Sequence, residues 1–269
     1  MSAIQSQTAL IIGATGQVGG WVLKELLANP LFTRVGEYGR RTTALDGLPT
    51  GKDKLEQKKI DFEKIEEAGL RDGKWDVVFI ALGTAVKEAG SKEAFERIDR
   101  EYVINAARAA KSDHPQRLVY VSSVSADSNS HFLYLRAYSS NTPFRSKGLT
   151  EEGLAGLGYA DTIVFRPAIL GGRSDKRTQK KSQSEAQFHE FIFTWADYPV
   201  YRVFTGVLSL VSSSIEIKVT TLAKSLVQAG LLGSAALPSV AGAKQAGKDG
   251  AHFTLIGNAG ALALATYQL

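Results

Sequence analysis

Gly13, Gly16 and Gly19 stand three residues apart, between an apolar run from Ala9 to Ile12 and a stretch in which Val18, Trp21, Val22, Leu26 and Leu27 share one helical face. Strand, glycine turn and helix in that order can hold a pyrophosphate. Gly13 lets the chain reverse, Gly16 lets a backbone approach the phosphates, and Gly19 lets the helix lie against the strand. The helix start adds unpaired N–H groups and a partial positive charge. Thr15, Gln17 and Val18 fall within the same turn and are expected on the dinucleotide. A second strand, Arg34 to Gly39, ends at Gly39-Arg40-Arg41. An acidic residue at that corner would bond a ribose 2′-hydroxyl, whereas two guanidinium groups suit a 2′-phosphate, which arginine grips bidentately. The expected cofactor is NADP(H). The competing readings are a tight turn in another α/β fold and two solvated loop arginines.

Positioning these groups requires a series of strands that meet at one edge. Leu55 to Ile60 reads as a short polar strand followed by Asp61-Phe62, a pair expected to flank the adenine, and Glu63 to Leu70 reads as helical. Asp76 to Leu82 is a strong buried strand that runs into Gly83-Thr84, so Leu82, Gly83 and Thr84 lie at the carboxyl edge where ligands of open sheets bind. Lys92 to Lys111 reads as one long helix, with Phe95, Ile98, Tyr102, Val103 and Ala107 on one face. Leu118 to Val121 and Thr162 to Phe165 are further strands, ending at Ser122-Ser123 and at Arg166-Pro167. Strands and helices alternating in this way predict an α/β fold, a doubly wound parallel sheet with helices on both faces. Later, Ile215 to Leu231 reads as an amphipathic helix, Gly242 to Gly250 as a loop, and Phe253 to Ile256 as a last strand before a Gly/Ala-rich tail. No repeat and no clean linker interrupts residues 1–269, which predicts a single domain whose region from about residue 168 onward covers the substrate.

The composition is that of a globular chain, 44% hydrophobic and 22% charged, long enough for a substantial core. Cysteine is absent, which excludes disulfides, thiol nucleophiles and thiolate metal sites. The four histidines have no metal-ligand spacing, so no metal is expected. A net charge of +5 allows anionic cofactors, lipids or acidic partners and does not call for nucleic acid. Part of that charge is the run from Gly172 to Gln183, either a solvated loop or a contact for an anionic membrane or protein partner. The aromatic segment Gln187 to Val211 either caps the substrate, touches a membrane or packs on the core. No signal peptide, transit peptide or membrane span is read from the sequence.

The glycine turn, Gly39-Arg40-Arg41, Asp61-Phe62-Glu63-Lys64, Leu82-Gly83-Thr84, Arg97-Ile-Asp-Arg-Glu-Tyr-Val103, Ser122-Ser123, Asn129-Ser-His-Phe-Leu-Tyr-Leu135 and Phe165-Arg-Pro167 follow one another in an order that resembles the atypical short-chain dehydrogenases/reductases. More narrowly, the chain resembles the Tat-interacting oxidoreductase family of animals and its fungal mitochondrial-proteome relatives. The resemblance implies a catalytic Ser, Tyr and Lys, which fall on Ser123 (with Ser122 as second choice), Tyr134 and Lys147. It also implies Arg166 and Pro167 at the cofactor. In such a set the phenol exchanges a proton with the substrate oxygen while hydride moves to or from nicotinamide, a nearby ammonium lowers the phenol's pKa, and the serine orients the substrate.

The lysine departs from the family spacing. Four residues after Tyr134 stands Tyr138, and only removal of Ala137 to Arg145 would restore YxxxK. These nine residues read as an insertion whose Asn141-Thr142-Pro143 would break a helix. Either the insertion loops out and Tyr134 and Lys147 still converge, or the pair is split and the chain binds cofactor without turning it over. The two functions that follow are an NADP-dependent oxidoreductase of a small carbonyl or alcohol, and a regulatory or scaffolding protein built on the same nucleotide site. The relatives imply a peripheral place on the cytosolic face of the mitochondrial outer membrane, with plain cytosol as the alternative. Substrate identity and oligomeric state are not legible.

Overall fold

The first strand, β1 (Gln7–Ile12), is apolar at every inner position because both of its faces are covered. Ala9 and Ile11 face α1 (Gln17–Ala28), whereas Leu10 and Ile12 face the opposite layer. A strand buried on both sides reads as a continuous hydrophobic run. The same holds for β4 (Val77–Ile80), which is buried throughout. The computed structural model describes residues 5–124, 126–128, 142–172 and 216–267.

The remaining strands among the described residues are β2 (Phe32–Gly39), β3 (Leu55–Lys59), β5 (Arg117–Val121), β6 (Asp161–Arg166), β7 (Ile169–Gly171), β8 (Glu216–Lys218), β9 (Lys244–Lys248) and β10 (Ala251–Gly257). Together with β1 and β4, six of them form one eight-stranded sheet in the order β3-β2-β1-β4-β5-β6-β10-β9, and β7 and β8 pair separately. Every pairing in the large sheet is parallel except β10 with β9. The fold is therefore the doubly wound α/β arrangement, and the order reverses between β1 and β4, the place where such sheets open a ligand crevice.

Among the described residues, the α-helices after α1 are α2 (Val86–Ala89), α3 (Lys92–Glu96), α4 (Tyr102–Ala110), α5 (Thr142–Ala155), α6 (Val219–Leu232), α7 (Leu237–Ala241) and α8 (Asn258–Thr266). Val22, Leu23 and Leu26 of α1 pack with Leu222 and Leu226 of α6 on one face of the sheet. Val103, Ala106 and Ala107 of α4 pack with Leu154 of α5 on the other. Both rims are polar: Glu56, Lys58 and Lys59 are exposed on β3, and Lys244, Gln245 and Lys248 on β9.

Several elements differ from the sequence reading. β2 starts earlier than Arg34 and is buried from Val35 to Gly39 despite Gly36 and Glu37. The Trp75 ring stands where a Gly36 side chain would be, 2.6 Å from its Cβ position, and the buried Glu37 has hydrogen-bond partners in the half-buried Thr43 and Gln57. The expected long helix over Lys92 to Lys111 is two α-helices joined by a π-helical turn, Arg97–Glu101. Residues 216–218, expected as the start of a helix, form β8, because they pair with β7. The expected loop at Gly242 to Gly250 contains β9, and the expected tail contains α8. Of Asn141-Thr142-Pro143, expected to break a helix, Asn141 lies outside the described residues, while α5 begins at Thr142, which leaves Pro143 in the first turn, where a missing N–H costs nothing. Tyr134, the basic run from Arg173 onward and the aromatic segment 187–211 lie outside the described residues.

Candidate functional site

The glycine turn occupies the crevice between β1 and β4. Gly13 has φ +97°, and a Cβ there would lie 2.8 Å from the Ala81 carbonyl group at the end of β4. Gly19 is fixed by the turn itself: its Cβ would lie 2.1 Å from the Gly13 oxygen. Gly16 has an ordinary extended backbone and is exposed, so its contribution is an open approach to the chain. Its N–H donates to the Gly13 oxygen at 3.0 Å, and α1 begins at Gln17 without a side-chain cap and without an acid in its first turn. Thr15 is exposed beside it, and Val18 points into the core. An uncapped N-terminus next to an open glycine turn suits an anionic oxygen.

At the end of β2, Arg40 and Arg41 are exposed, and neither enters an ion pair among the described residues. Asp61 caps the following 3₁₀ helix by accepting from the Glu63 N–H at 3.0 Å. Phe62 is buried and stacks on Tyr102 with ring centroids 5.1 Å apart. The Tyr102 hydroxyl donates to Glu63.

Beyond β4, Leu82, Gly83 and Thr84 run along the same edge, and Gly83 faces a charged cluster absent from the sequence reading as a set. A Cβ on Gly83 would lie 3.3 Å from Asp99 Oδ1 and 3.4 Å from Lys147 Nζ. Lys147 Nζ is 2.9 Å from Asp99 Oδ1 and donates to the Tyr120 hydroxyl at 3.0 Å. Asp99 comes from the π-helical turn, Tyr120 from β5 and Lys147 from α5; Asp99 and Tyr120 are 0% exposed. Burial raises the Asp99 carboxyl, while Lys147 and the Thr84 amide pull it back. Burial also pushes the Tyr120 phenol up to about 12, against the pull of Lys147. For Lys147, burial works against the ammonium, but Tyr120 and Asp99 outweigh it and raise its pKa, so the lysine stays charged. Asp99 had only one sequence signal, its place within Arg97-Ile-Asp-Arg-Glu-Tyr-Val103.

Ser122 is buried at the carboxyl end of β5, with its N–H on the Phe165 oxygen at 2.8 Å, and Ser123 is half-buried next to it. The structure thus brings Ser123, Lys147 and Gly83 to the edge that carries the glycine turn. Arg166, expected at the cofactor, directs Nε (3.0 Å) and a terminal nitrogen onto the buried carboxylate of Glu151. Pro167 accepts the Val124 N–H at 3.0 Å. On α5 the residue one turn before Lys147 is Pro143, so the helix itself presents no tyrosine at that position.

The family model described as NAD(P)H-binding matches residues 13–190. Among curated proteins, rat Protein HTATIP2 is 34% identical over 167 residues, 62% of this chain and 64% of the rat protein, so the match spans just under two thirds of that relative. Protein FMP52, mitochondrial, of Meyerozyma guilliermondii is 30% identical over 230 residues, 79% of this chain and 91% of the relative. Two solved structures share the fold. One is a UDP-N-acetylglucosamine 4-epimerase from Methanobrevibacter ruminantium (TM-score 0.54, 15% identity, 84% of this chain and 73% of that one). The other is the Bordetella bronchiseptica enzyme WbmF in complex with NAD+ (TM-score 0.54, 14% identity, 84% and 70%). With its glycine turn at the switch point of the sheet and these relatives on either side, the chain belongs to the NAD(P)H-binding family, in the group of the HTATIP2 and FMP52 proteins.

Proposed function

We propose that the chain binds NADP(H) and acts as an oxidoreductase on a small carbonyl or alcohol. The observation that carries this reading is Lys147: nine inserted residues separate it from the family spacing, yet its ammonium sits beside Gly83 at the edge that holds the glycine turn. A dinucleotide lying with its pyrophosphate on Gly13–Gly16 and its adenosine end toward Arg40 and Arg41 would extend past Gly83. The bound cofactor supplies or accepts the hydride. Lys147 offers its remaining N–H to ligand hydroxyls and stabilises negative charge on a neighbouring phenolate, and Ser123 donates to the substrate oxygen. Tyr134 is proposed as the proton carrier by resemblance. Arg40 and Arg41 favour the 2′-phosphate.

The test is calorimetric titration with NADPH and NADH, followed by NADPH oxidation across aldehydes and quinones. The reading expects tighter NADPH binding, turnover with at least one carbonyl, and loss of that turnover in Lys147→Ala with NADPH still bound. NADPH binding without turnover on any carbonyl would leave the second reading, a nucleotide-stabilised regulatory or scaffolding protein, which the Pro143 in place of a tyrosine one turn before Lys147 favours. For location we propose the cytosolic face of the mitochondrial outer membrane, held peripherally. Support comes from relatives named mitochondrial and from the lack, among the described residues, of a helix long and apolar enough to cross a membrane. Release from mitochondria by alkaline carbonate, together with sensitivity to added protease, is the expected result; retention in the carbonate pellet would overturn the peripheral placement.

A further inference from the structure

Glu37 is an acid inside a strand, 1% exposed, and no part of the proposed chemistry uses it. Its Oε1 accepts from both the N–H and the hydroxyl of Thr43, each at 2.7 Å, and its Oε2 accepts from Gln57 Nε2 at 2.7 Å. Gln57 stands directly opposite Glu37 in the β2–β3 register, and the same Nε2 donates to the Thr43 oxygen at 2.7 Å. Thr43 is therefore held at its N–H, its hydroxyl and its carbonyl. On the other side, the Gly39 oxygen accepts the Ile60 N–H at 3.0 Å. What lies between these two anchors is a three-residue turn, Arg40-Arg41-Thr42, and it is drawn tight: a Cβ on Gly39 would come within 3.2 Å of the Arg41 oxygen.

A carboxylate buried this far is costly unless its lone pairs are satisfied, and hydrogen bonds to a charged acceptor are the stronger kind. Two such bonds come from one loop residue, Thr43, shortly beyond two exposed arginines, and the third comes from Gln57, which also holds the Thr43 carbonyl. Fixing the turn before a ligand arrives removes the ordering cost that binding would otherwise carry. We infer that Glu37, through Thr43 and Gln57, is the positioning residue that sets the preference for a 2′-phosphorylated dinucleotide, by holding the Arg40–Arg41 turn in its receiving form. The inference rests on the NADP(H) reading above. A role in folding alone would weaken NADPH and NADH together; a positioning role weakens NADPH selectively, because the plain ribose makes no demand on the arginine turn.

The test measures the affinities of the full chain for NADPH and NADH in the wild type, Glu37→Gln and Thr43→Val. The amide of Glu37→Gln presents an N–H₂ where only acceptors fit, so it must leave either the Thr43 donors or Gln57 unpaired. Expected is a fall of about tenfold in the NADPH-over-NADH preference, with NADH affinity within about twofold of wild type. Thr43→Val keeps the carboxylate and the backbone bond and removes only the hydroxyl, so a smaller fall of about threefold is expected. If Glu37→Gln does not fold, Thr43→Val decides alone. An unchanged preference in the folded variants, or an equal loss for both nucleotides, overturns the inference while a wild-type preference keeps the cofactor reading. A wild type that binds both nucleotides equally overturns the reading and the inference together.

Discussion

Removing one half of the Asp99–Lys147 pair leaves a largely buried charge without its counter-charge. Asp99 is fully buried, Lys147 keeps 14% of its side chain exposed, and among the described residues the other hydrogen-bond partner of the ammonium is a neutral phenol. Asp99→Ala is expected to cost about 3 kcal/mol in urea unfolding. Adding Lys147→Met to it should recover much of that loss, since an unpaired charge then no longer has to be buried. A double variant no more stable than Asp99→Ala would show that the cost lies in the cavity rather than the charge. At this scale, Gly13 and Gly19 were legible because their conformational roles follow from local backbone geometry, and Arg40 and Arg41 were legible only as an exposed pair at a strand end. Glu37 and the Asp99–Lys147–Tyr120 set were not, because each takes its partners from other strands and helices that only the folded sheet brings together.

The helix α5 starts within the nine residues that separate this chain from its family spacing. Removing residues 137–145 therefore takes away the first four residues of α5, Pro143 among them, and brings Tyr134 to four positions before Lys147. The shortened chain is expected to oxidise NADPH at least about tenfold faster with a carbonyl acceptor, because a positioned phenol contributes a proton-transfer factor of that order or more. Its NADPH affinity should hardly change, since the glycine turn and the arginine corner lie on other elements. Equal turnover with and without the nine residues would clear the insertion as the brake. The central strands were readable from their unbroken apolar runs. β9 was not, because Lys-Gln-Ala-Gly-Lys carries no strand pattern and becomes a strand only against β10, where Gly247 at φ +106° lies against the Ala251 oxygen. α8 was hidden for a related reason: it buries just Ala261 and Leu264, so its alanines and glycine read as a tail.

Taken as a whole, the molecule buries several phenols that an unfolded chain would ionise near pH 10. Tyr38, Tyr120 and Tyr159 are all pushed up by burial, Tyr120 to about 12. Lys147 is raised in the same direction by Tyr120 and Asp99 once these outweigh its burial. Above pH 10 the native chain holds protons that the unfolded chain has released, so stability must fall as pH rises. The urea midpoint is expected to be flat up to about pH 10 and to drop steadily from there toward pH 12, and Tyr120→Phe should lessen the slope. A midpoint independent of pH over that range would contradict the buried, protonated state of these groups.

The lysines on both rims of the sheet bear on a different hazard. A strand with no neighbour offers its open N–H and C=O groups to any extended segment, and among the described residues β3 and β9 are two such strands. Lys58 and Lys59 on one rim and Lys244 and Lys248 on the other set like charges against each other when two copies approach edge to edge. Edge-to-edge pairing of two copies along these strands is thereby disfavoured.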